Sequence, residues 1–476
     1  MRMLLWFALL ALLAACGGGG GGGSSEIPQS WSQFHRDGQR RGFGTGIVMP
    51  NDGTLRSVAV DARDVRRPGL PLAPIVASPV VDLDDVIYVA SENGTVLAVA
   101  PDDLSTRWVT SRCDLPRGQQ QCPAELGPIV STPALLQVDN TTTVVVASRT
   151  GSVYFFEIDD RNPVPECVAC FTATIDTDVR DEFGPTATVE IVSSPTLRPN
   201  LVTGTIAQVL IGARITVPGD GDTPASTAGK LYSINNDGSL RWQFPAPGEA
   251  AIAPISASPT LGVGEATYIA SDDGVLYMLT GDGLLKREVE AGELAAPDDL
   301  FVPSAVTSAA IYLNGADGIV RAFNHDGSLR WQSAFPGESF LGTLAASSQS
   351  IPTTTPTESG APPPTPTPLA AFTGTPTATF TPQRITSNLF AISESGRLII
   401  LNEADGEEVA PSRSMPDEPV RGTVFTSPAI SGDRLLVFTA SDSRVYVYDT
   451  ATLTRPRICV GGSNEARACE DADDCP

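Results

Sequence analysis

Histidine is nearly missing from this sequence: His35 and His325 are the two copies in 476 residues. A Ser-His-Asp relay needs an imidazole base held by a carboxylate, and neither histidine suits that role. His35 lies in an N-terminal lead-in, and His325 sits in an Asp-Gly turn whose second copy carries asparagine instead. Basic residues are also few. Lys and Arg number 31 against 55 Asp and Glu, a net charge of −24, which excludes the cationic footprint a nucleic-acid binder needs. The same charge disfavours docking onto anionic lipid headgroups. No run after the N-terminal hydrophobic stretch keeps a helical period, so helical arrays are not expected. GxSxG, a phosphate loop, HExxH and a strand–helix GxGxxG are absent. The carboxylate pairs Asp84/Asp85, Asp102/Asp103 and Asp272/Asp273 read as solvated turn residues. No catalytic, cofactor-binding or metal residue is assigned, and no cofactor is expected.

What is present is repetition. "NNDGSLRWQ" at 235–243 returns as "NHDGSLRWQ" at 324–332, and Asp282-Gly283 lies midway between their Asp-Gly pairs, giving a period of 44–45 residues. Such periods belong to propellers or helical arrays, and the local pattern selects the first. "YVASENGTVLAV" (88–99), "YIASDDGVLYML" (268–279) and "VFTASDSRVYVY" (437–448) are short β-branched and aromatic runs broken by turn residues, which read as hairpins. Upstream stands a strand ending in Ser/Thr-Pro, as in "IVASPVV" (75–81) and "IVSSPTL" (191–197). Downstream stands a turn and a strand carrying Trp108, Trp242 or Trp331. Four antiparallel strands per 40–50 residues is a propeller blade. The chain is therefore expected to be all-β, with seven blades marked by the hairpin residues Gly94, Gly151, Gly229, Gly274, Gly318, Gly396 and Ser443; eight is the alternative count. In the nonapeptides, Gly238 and Gly327 close tight turns, and the tryptophans are expected to anchor neighbouring blades. The strand near Leu55–Val60 is expected to pair with the seventh blade and close the ring.

The propeller is assigned to residues 31–455 as one continuous core. Within blade six, 349–383 is a Pro/Thr-rich tract read as an exposed loop insertion; the Gly151–Gly229 gap is read as holding loop insertions. Residues 1–15 read as a secretory signal peptide. "LAAC" ending at Cys16 resembles a bacterial lipoprotein signal, which implies acylation of that cysteine, and the glycines to Gly23 make 16–30 a flexible tether. By the same resemblance the chain is expected at the outer membrane or cell surface, on either face, attached through the lipid alone. An exported chain favours disulfides. Cys113 and Cys122 are read as clipping one loop and Cys167 and Cys170 as a local bridge. A metal reading of that CxxC lacks a second ligand pair with zinc-site spacing. Cys459, Cys469 and Cys475 fall in an acidic tail, 456–476, where one cysteine is left over; Glu470, Asp471, Asp473 and Asp474 read as solvated.

With its blades laid out, the chain resembles the pyrroloquinoline-quinone-type β-propeller repeat family. The resemblance is carried by "SPVVDLDDVIYVASENGTVLAVAPDDLSTRW" (78–108) and by the lead-in "WSQFHRDGQRRGFG" (31–44). It implies the fold, but quinone enzymes and protein-binding scaffolds share that fold. The family's quinone dehydrogenases use an adjacent cysteine pair and eight blades, and no Cys-Cys occurs here. The leading expectation is thus a non-catalytic envelope scaffold whose partner is another envelope protein or a carbohydrate. A quinone-dependent dehydrogenase is one alternative, and a carbohydrate-binding surface sensor or adhesin is another.

Overall fold

The structure, a computed structural model, describes most of residues 73–449. Beyond that span it describes the backbone of Phe43–Thr45, Thr54–Ala59, Arg457–Ile458 and Ala468–Cys469. The leader, Cys16, the tether, the tract 349–383, Cys459 and Cys475 lie outside the described residues.

Seven antiparallel blades follow one another along the chain. Blade four shows the plain unit. Strands a to d are Thr260–Leu261, Thr267–Ala270, Val275–Leu279 and Leu285–Glu290, each paired with the next. Strands b and c of this blade are buried almost throughout rather than alternating, because each blade is covered on both faces by its neighbours. Strand c of blade one, Val96–Val99, is fully buried, and such continuous runs mark strands shielded on both sides. Outer strands are far more exposed: Leu285–Glu288 of blade four face solvent throughout, and in Leu329–Ala334 of blade five only Trp331 and Ser333 are partly covered.

The ring closes as the lead-in strand requires. Thr54–Ala59 pairs antiparallel with Arg444–Asp449, the c strand of blade seven, with Leu55 opposite Tyr448 and Val58 opposite Val445. The N-terminal region thereby supplies the outer strand of the last blade, and closure removes an open sheet edge.

A second seam runs round the inside and explains the Ser/Thr-Pro pattern. The N–H of Ser78 in blade one donates to Thr132 Oγ1 of blade two at 3.0 Å. Thr132 N–H donates to Ser194 Oγ of blade three at 2.9 Å, and Ser194 N–H to Ser258 Oγ of blade four at 2.8 Å. Ser427 of blade seven donates to Ser78 Oγ at 2.8 Å, bridging the ends of the chain. The proline that follows holds each of these residues extended, so its N–H and hydroxyl both point to neighbouring blades. The preceding hydroxyl works within the blade: Ser131, Ser193 and Thr426 each donate to a carbonyl of strand b at 2.7 Å.

Blade three departs from the plain unit. Its strands b and c, Ile206–Val217 and Ser226–Asn235, pair without a break from Gln208↔Asn235 to Val217↔Ser226. Part of what reads in sequence as a loop insertion is therefore hairpin. Gly229, expected at a hairpin turn, lies inside strand c opposite Arg214. It is glycine because the next connector passes close by: a Cβ there would stand 2.1 Å from the Ala253 carbonyl oxygen. A helix, Ala173–Phe183, also precedes this blade, against the expectation of no helix. Its sequence, ATIDTDVRDEF, offers only Ile175, Val179 and Phe183 as an apolar stripe. Three residues in eleven make too weak a period to register until the extended hairpin covers them.

Candidate interaction face

A propeller has two faces, and strand direction defines them here. Strand a begins where the connector from the previous blade ends, and the b–c turn returns to that same side. The b–c turns and connectors form one face, the turn face; the a–b and c–d turns form the other.

Backbone bonds on the turn face tie the b–c turns of blades one, two, four and six to the connector entering the same blade. Glu92 N–H donates to Pro74 O at 3.1 Å, Arg149 to Pro128 O at 2.8 Å, Asp272 to Pro254 O at 2.8 Å and Glu394 to Ser339 O at 2.8 Å. The turns also accept from the connector entering the next blade, as in Ile129 N–H to Ser91 O at 3.3 Å and Val424 N–H to Glu394 O at 3.1 Å. Ion pairs reinforce this weave. Arg149 of blade two meets Glu190, which leads into blade three. Arg214 of blade three reaches Asp272 of blade four at 2.7 Å. Arg397 of blade six holds Glu338 at 2.8 Å.

The helix seals the blade-three end of this face. Lys230, buried in strand c, meets Glu182 of the helix and donates to Pro245 O at 3.0 Å. Two positions on, the buried Tyr232 hydroxyl donates to Asp178 at 2.9 Å. Burial, then the charge of Asp178, raises the Tyr232 pKa well above the ordinary phenol range, so Tyr232 acts as a permanent donor. A lone buried ammonium would be costly; the helix carboxylate and the carbonyl compensate it.

Across the face, where blades six and seven meet, the connectors leave a polar cleft of about 410 Å³ lined by Gly337, Glu338, Ser339, Glu394, Ser395, Val420, Gly422 and Thr423. Burial would raise Glu338, but hydrogen bonds from Arg397 and Ser393 outweigh it and hold the carboxyl below the usual range. The cleft thus offers a fixed carboxylate, hydroxyls and backbone groups, a surface suited to a polar or cationic group of a partner. Sequence reading selected none of these residues. Glu338 and Glu394 lie in different repeats, and neither sits in a recognisable motif.

Phe43–Thr45 adds to this geometry. It pairs in parallel with strand a of blade six, Ala345–Ser348, with Phe43 opposite Ala346 and Thr45 opposite Ser348. Inner strands of successive blades touch one another around the axis, so this short strand lies on the channel side of blade six. Running parallel to strand a, it passes from the turn face toward the other face.

Of the tryptophans singled out by repetition, two lie on the blade seams. Trp242 Nε1–H donates to Gly281 O at 3.0 Å and Trp331 Nε1–H to Glu403 O at 3.1 Å, both in the c–d turn of the next blade. A Cβ on Gly283 would meet the Trp242 ring at 2.5 Å, and one on Gly406 would meet Trp331 at 2.5 Å, so these turns admit only glycine. Each tryptophan is partly buried. Trp108 packs at 5.8 Å from Tyr88. In both nonapeptides the aspartate, Asp237 or Asp326, accepts from the N–H and the hydroxyl of the serine two residues on. Gly238 and Gly327 adopt φ +84 and +83. His325 stands in the second of these exposed turns.

The cysteines pair differently from the local reading. Cys113 bonds Cys167 and Cys122 bonds Cys170. Cys167 and Cys170 lie in one strand, Asn162–Phe171, where three residues span about 10 Å, beyond the reach of a disulfide. Two crossed bridges instead clamp the connector after blade one to the outer strand of blade two.

Sheet order and closure define a seven-bladed β-propeller with a single helix among the described residues. Residues 189–355, covering blades three to five and the start of six, match the family model described as outer membrane protein assembly factor BamB. That agrees with the resemblance to the quinone-type propeller repeats. The crystal structure of BamB from Moraxella catarrhalis is similar to the chain at a TM-score of 0.43 and 16% identity, covering 84% of this chain and 100% of that one. No curated protein matches.

Proposed function

We propose that this chain is a non-catalytic propeller scaffold of the bacterial cell envelope, tethered by a lipid on Cys16 and binding a partner protein across its turn face. The observation that carries this reading is the match of blades three to five to a family described as an outer membrane assembly factor. The arrangement of the ring supports it. The repeated Ser/Thr-Pro, Asp-Gly and Trp residues serve the seams between blades, whereas the cleft at the junction of blades six and seven and the helix at blade three are local additions to one face. Among the described residues no helix is long and apolar enough to cross a membrane.

The test is site-specific photo-crosslinking in envelopes of the native host. Probes at Ser395 and Thr423 in the cleft are expected to capture one discrete envelope protein, and a probe at Ser239, in an exposed c–d turn, is not. Capture from Ser239 alone would overturn the choice of face. Stoichiometric binding of pyrroloquinoline quinone, with dye reduction on an alcohol or sugar, would overturn the scaffold reading. Mass spectrometry of the mature N-terminus checks the lipid, and an unacylated start elsewhere than Cys16 would remove the tether.

A further inference from the structure

Strand pairing fixes the face on which the N-terminal part of the chain enters the ring. Phe43–Thr45 runs parallel to strand a of blade six, with Phe43 opposite Ala346 near the start of that strand. Strand a starts on the turn face, so the chain upstream of Phe43 reaches the fold there, on the channel side. The short strand also lies beside strand a of blade seven, Ala429–Ser431. Its entry point is therefore on the inner side of the seam that carries the cleft. By Thr54 the chain is on the other face, because Thr54 pairs with Asp449 at the end of strand c of blade seven. We infer that the turn face is the membrane-proximal face of the propeller and that the partner it binds is a membrane-embedded protein. This inference rests on the lipid at Cys16 proposed above.

Chain length carries the orientation. Cys16 and Phe43 are 27 positions apart, and a flexible chain of that length has a root-mean-square span of about 30 Å. A direct path from the turn face to a bilayer fits within that span. Bringing the other face to the bilayer sends the chain outward across a blade, about 15 Å, and then down its outer edge, about 40 Å in all. The weight of a random chain falls steeply beyond its mean span, so the direct arrangement dominates. Blade six adds an independent asymmetry. Ser348 pairs with Ser387 at the end of its a–b hairpin, so the 38 residues between them leave from the face opposite the turn face. A Pro/Thr-rich chain of that length excludes volume beneath that face and keeps a planar bilayer away from it.

Charge selects the occupant. A chain of net charge −24 is repelled by anionic headgroups, and the cleft presents the carboxylates of Glu338 and Glu394. The turn face therefore stands off the lipid. It is open to the exposed loops of a protein seated in the membrane, whose cationic side chains match the cleft.

The acylated full chain is placed on phosphatidylcholine vesicles that carry a headgroup spin label. A fluorescent amino acid stands at Ser395 or Thr423 on the turn face, or at Ser239 or Ser328 in c–d turns of the other face. Quenching on the turn face is expected to be about fivefold stronger, the order a random chain gives between the direct path and the path round the rim. Equal or reversed quenching overturns the orientation. The double variant Gly44→Pro, Thr45→Pro unpairs the short strand, and the chain then leaves the fold at Thr54 on the other face. The contrast should fall to parity or reverse; a contrast kept at full size refutes the inference. Quenching at Ser395 that grows with added phosphatidylglycerol would show this face adsorbing lipid and overturns a protein partner. A protein photo-crosslinked from Ser395 is expected to stay in the membrane through alkaline carbonate extraction, and its release overturns the membrane-embedded partner. Failure of the underlying reading shows separately. A chain that does not float with vesicles lacks the lipid, and hexahistidine in place of residues 1–16, held on nickel-chelating vesicles, then decides the orientation by the same comparison.

Discussion

Blades three and four are built from one repeat, yet they use it differently. Blade four is bare, with b and c strands of four and five residues. Blade three lengthens the same strands to twelve and ten and covers them with a helix. The first c-strand residue after the conserved glycine is Val275 in blade four and Lys230 in blade three, and the third is a tyrosine in both. A propeller therefore absorbs an insertion at its b–c hairpin, on the turn face, while the inner strands and the seam to the next blade stay unchanged. The added material brings its own polar pairs, because lengthening the hairpin buries groups that blade four never has.

Removing the helix carboxylate should break this difference most severely. Glu182→Ala leaves the Lys230 ammonium buried without its ion partner, and losing one member of a buried pair costs about 3–5 kcal/mol. Denaturant unfolding should show that loss, whereas Val275→Ala in blade four should cost far less. Equal effects would mean the helix is ornamental. The seam joining the two blades comes next. Trp242→Ala removes a partly buried ring and its bond to Gly281 and should cost about 3 kcal/mol, the low end of buried-tryptophan truncations. Trp331→Ala should behave alike, since its geometry is the same. A thermal melt unchanged in either variant would contradict the seam. Ser258→Ala leaves the buried Ser194 N–H of blade three without its acceptor, which costs about 1–2 kcal/mol. Amide exchange at Ser194 should accelerate, and an unaltered rate would show that another group replaces the hydroxyl. The smallest change sharpens the comparison. Blade four has Arg287 where blades three and five have tryptophan, and its charge acts on Asp326 of blade five. Arg287→Trp should restore the ring-over-glycine contact and add about 1 kcal/mol, read as a raised melting temperature; a lowered one would show that the charge matters more.

The family match and the sequence reading meet on the repeat, and the individual features escaped both. Glu338 and Arg397 are 59 residues apart, Lys230 and Glu182 are 48 apart, and nothing local marks either pair. The helix was illegible because its apolar stripe is thin and its stability comes from the hairpin packed on it. Gly229 was misplaced because its glycine signals close backbone approach rather than a turn.

The sequence by itself determined the period, the four-strand blade and the lead-in strand that closes the ring, and it favoured seven blades over eight, a choice the sheet order then made. These follow from local terms repeated many times: β-branched runs, Asp-Gly turns and Ser/Thr-Pro strand entries each state their conformation within a few residues. Only the tertiary structure decided which cysteines pair, where the helix packs, and which carboxylates gather on the turn face. Those outcomes depend on distances between segments some fifty or more residues apart, such as the 54 and 48 separating the bridged cysteines. An extended strand holds Cys167 and Cys170 too far apart to join each other, so each pairs with a cysteine of the connector that the fold brings beside it.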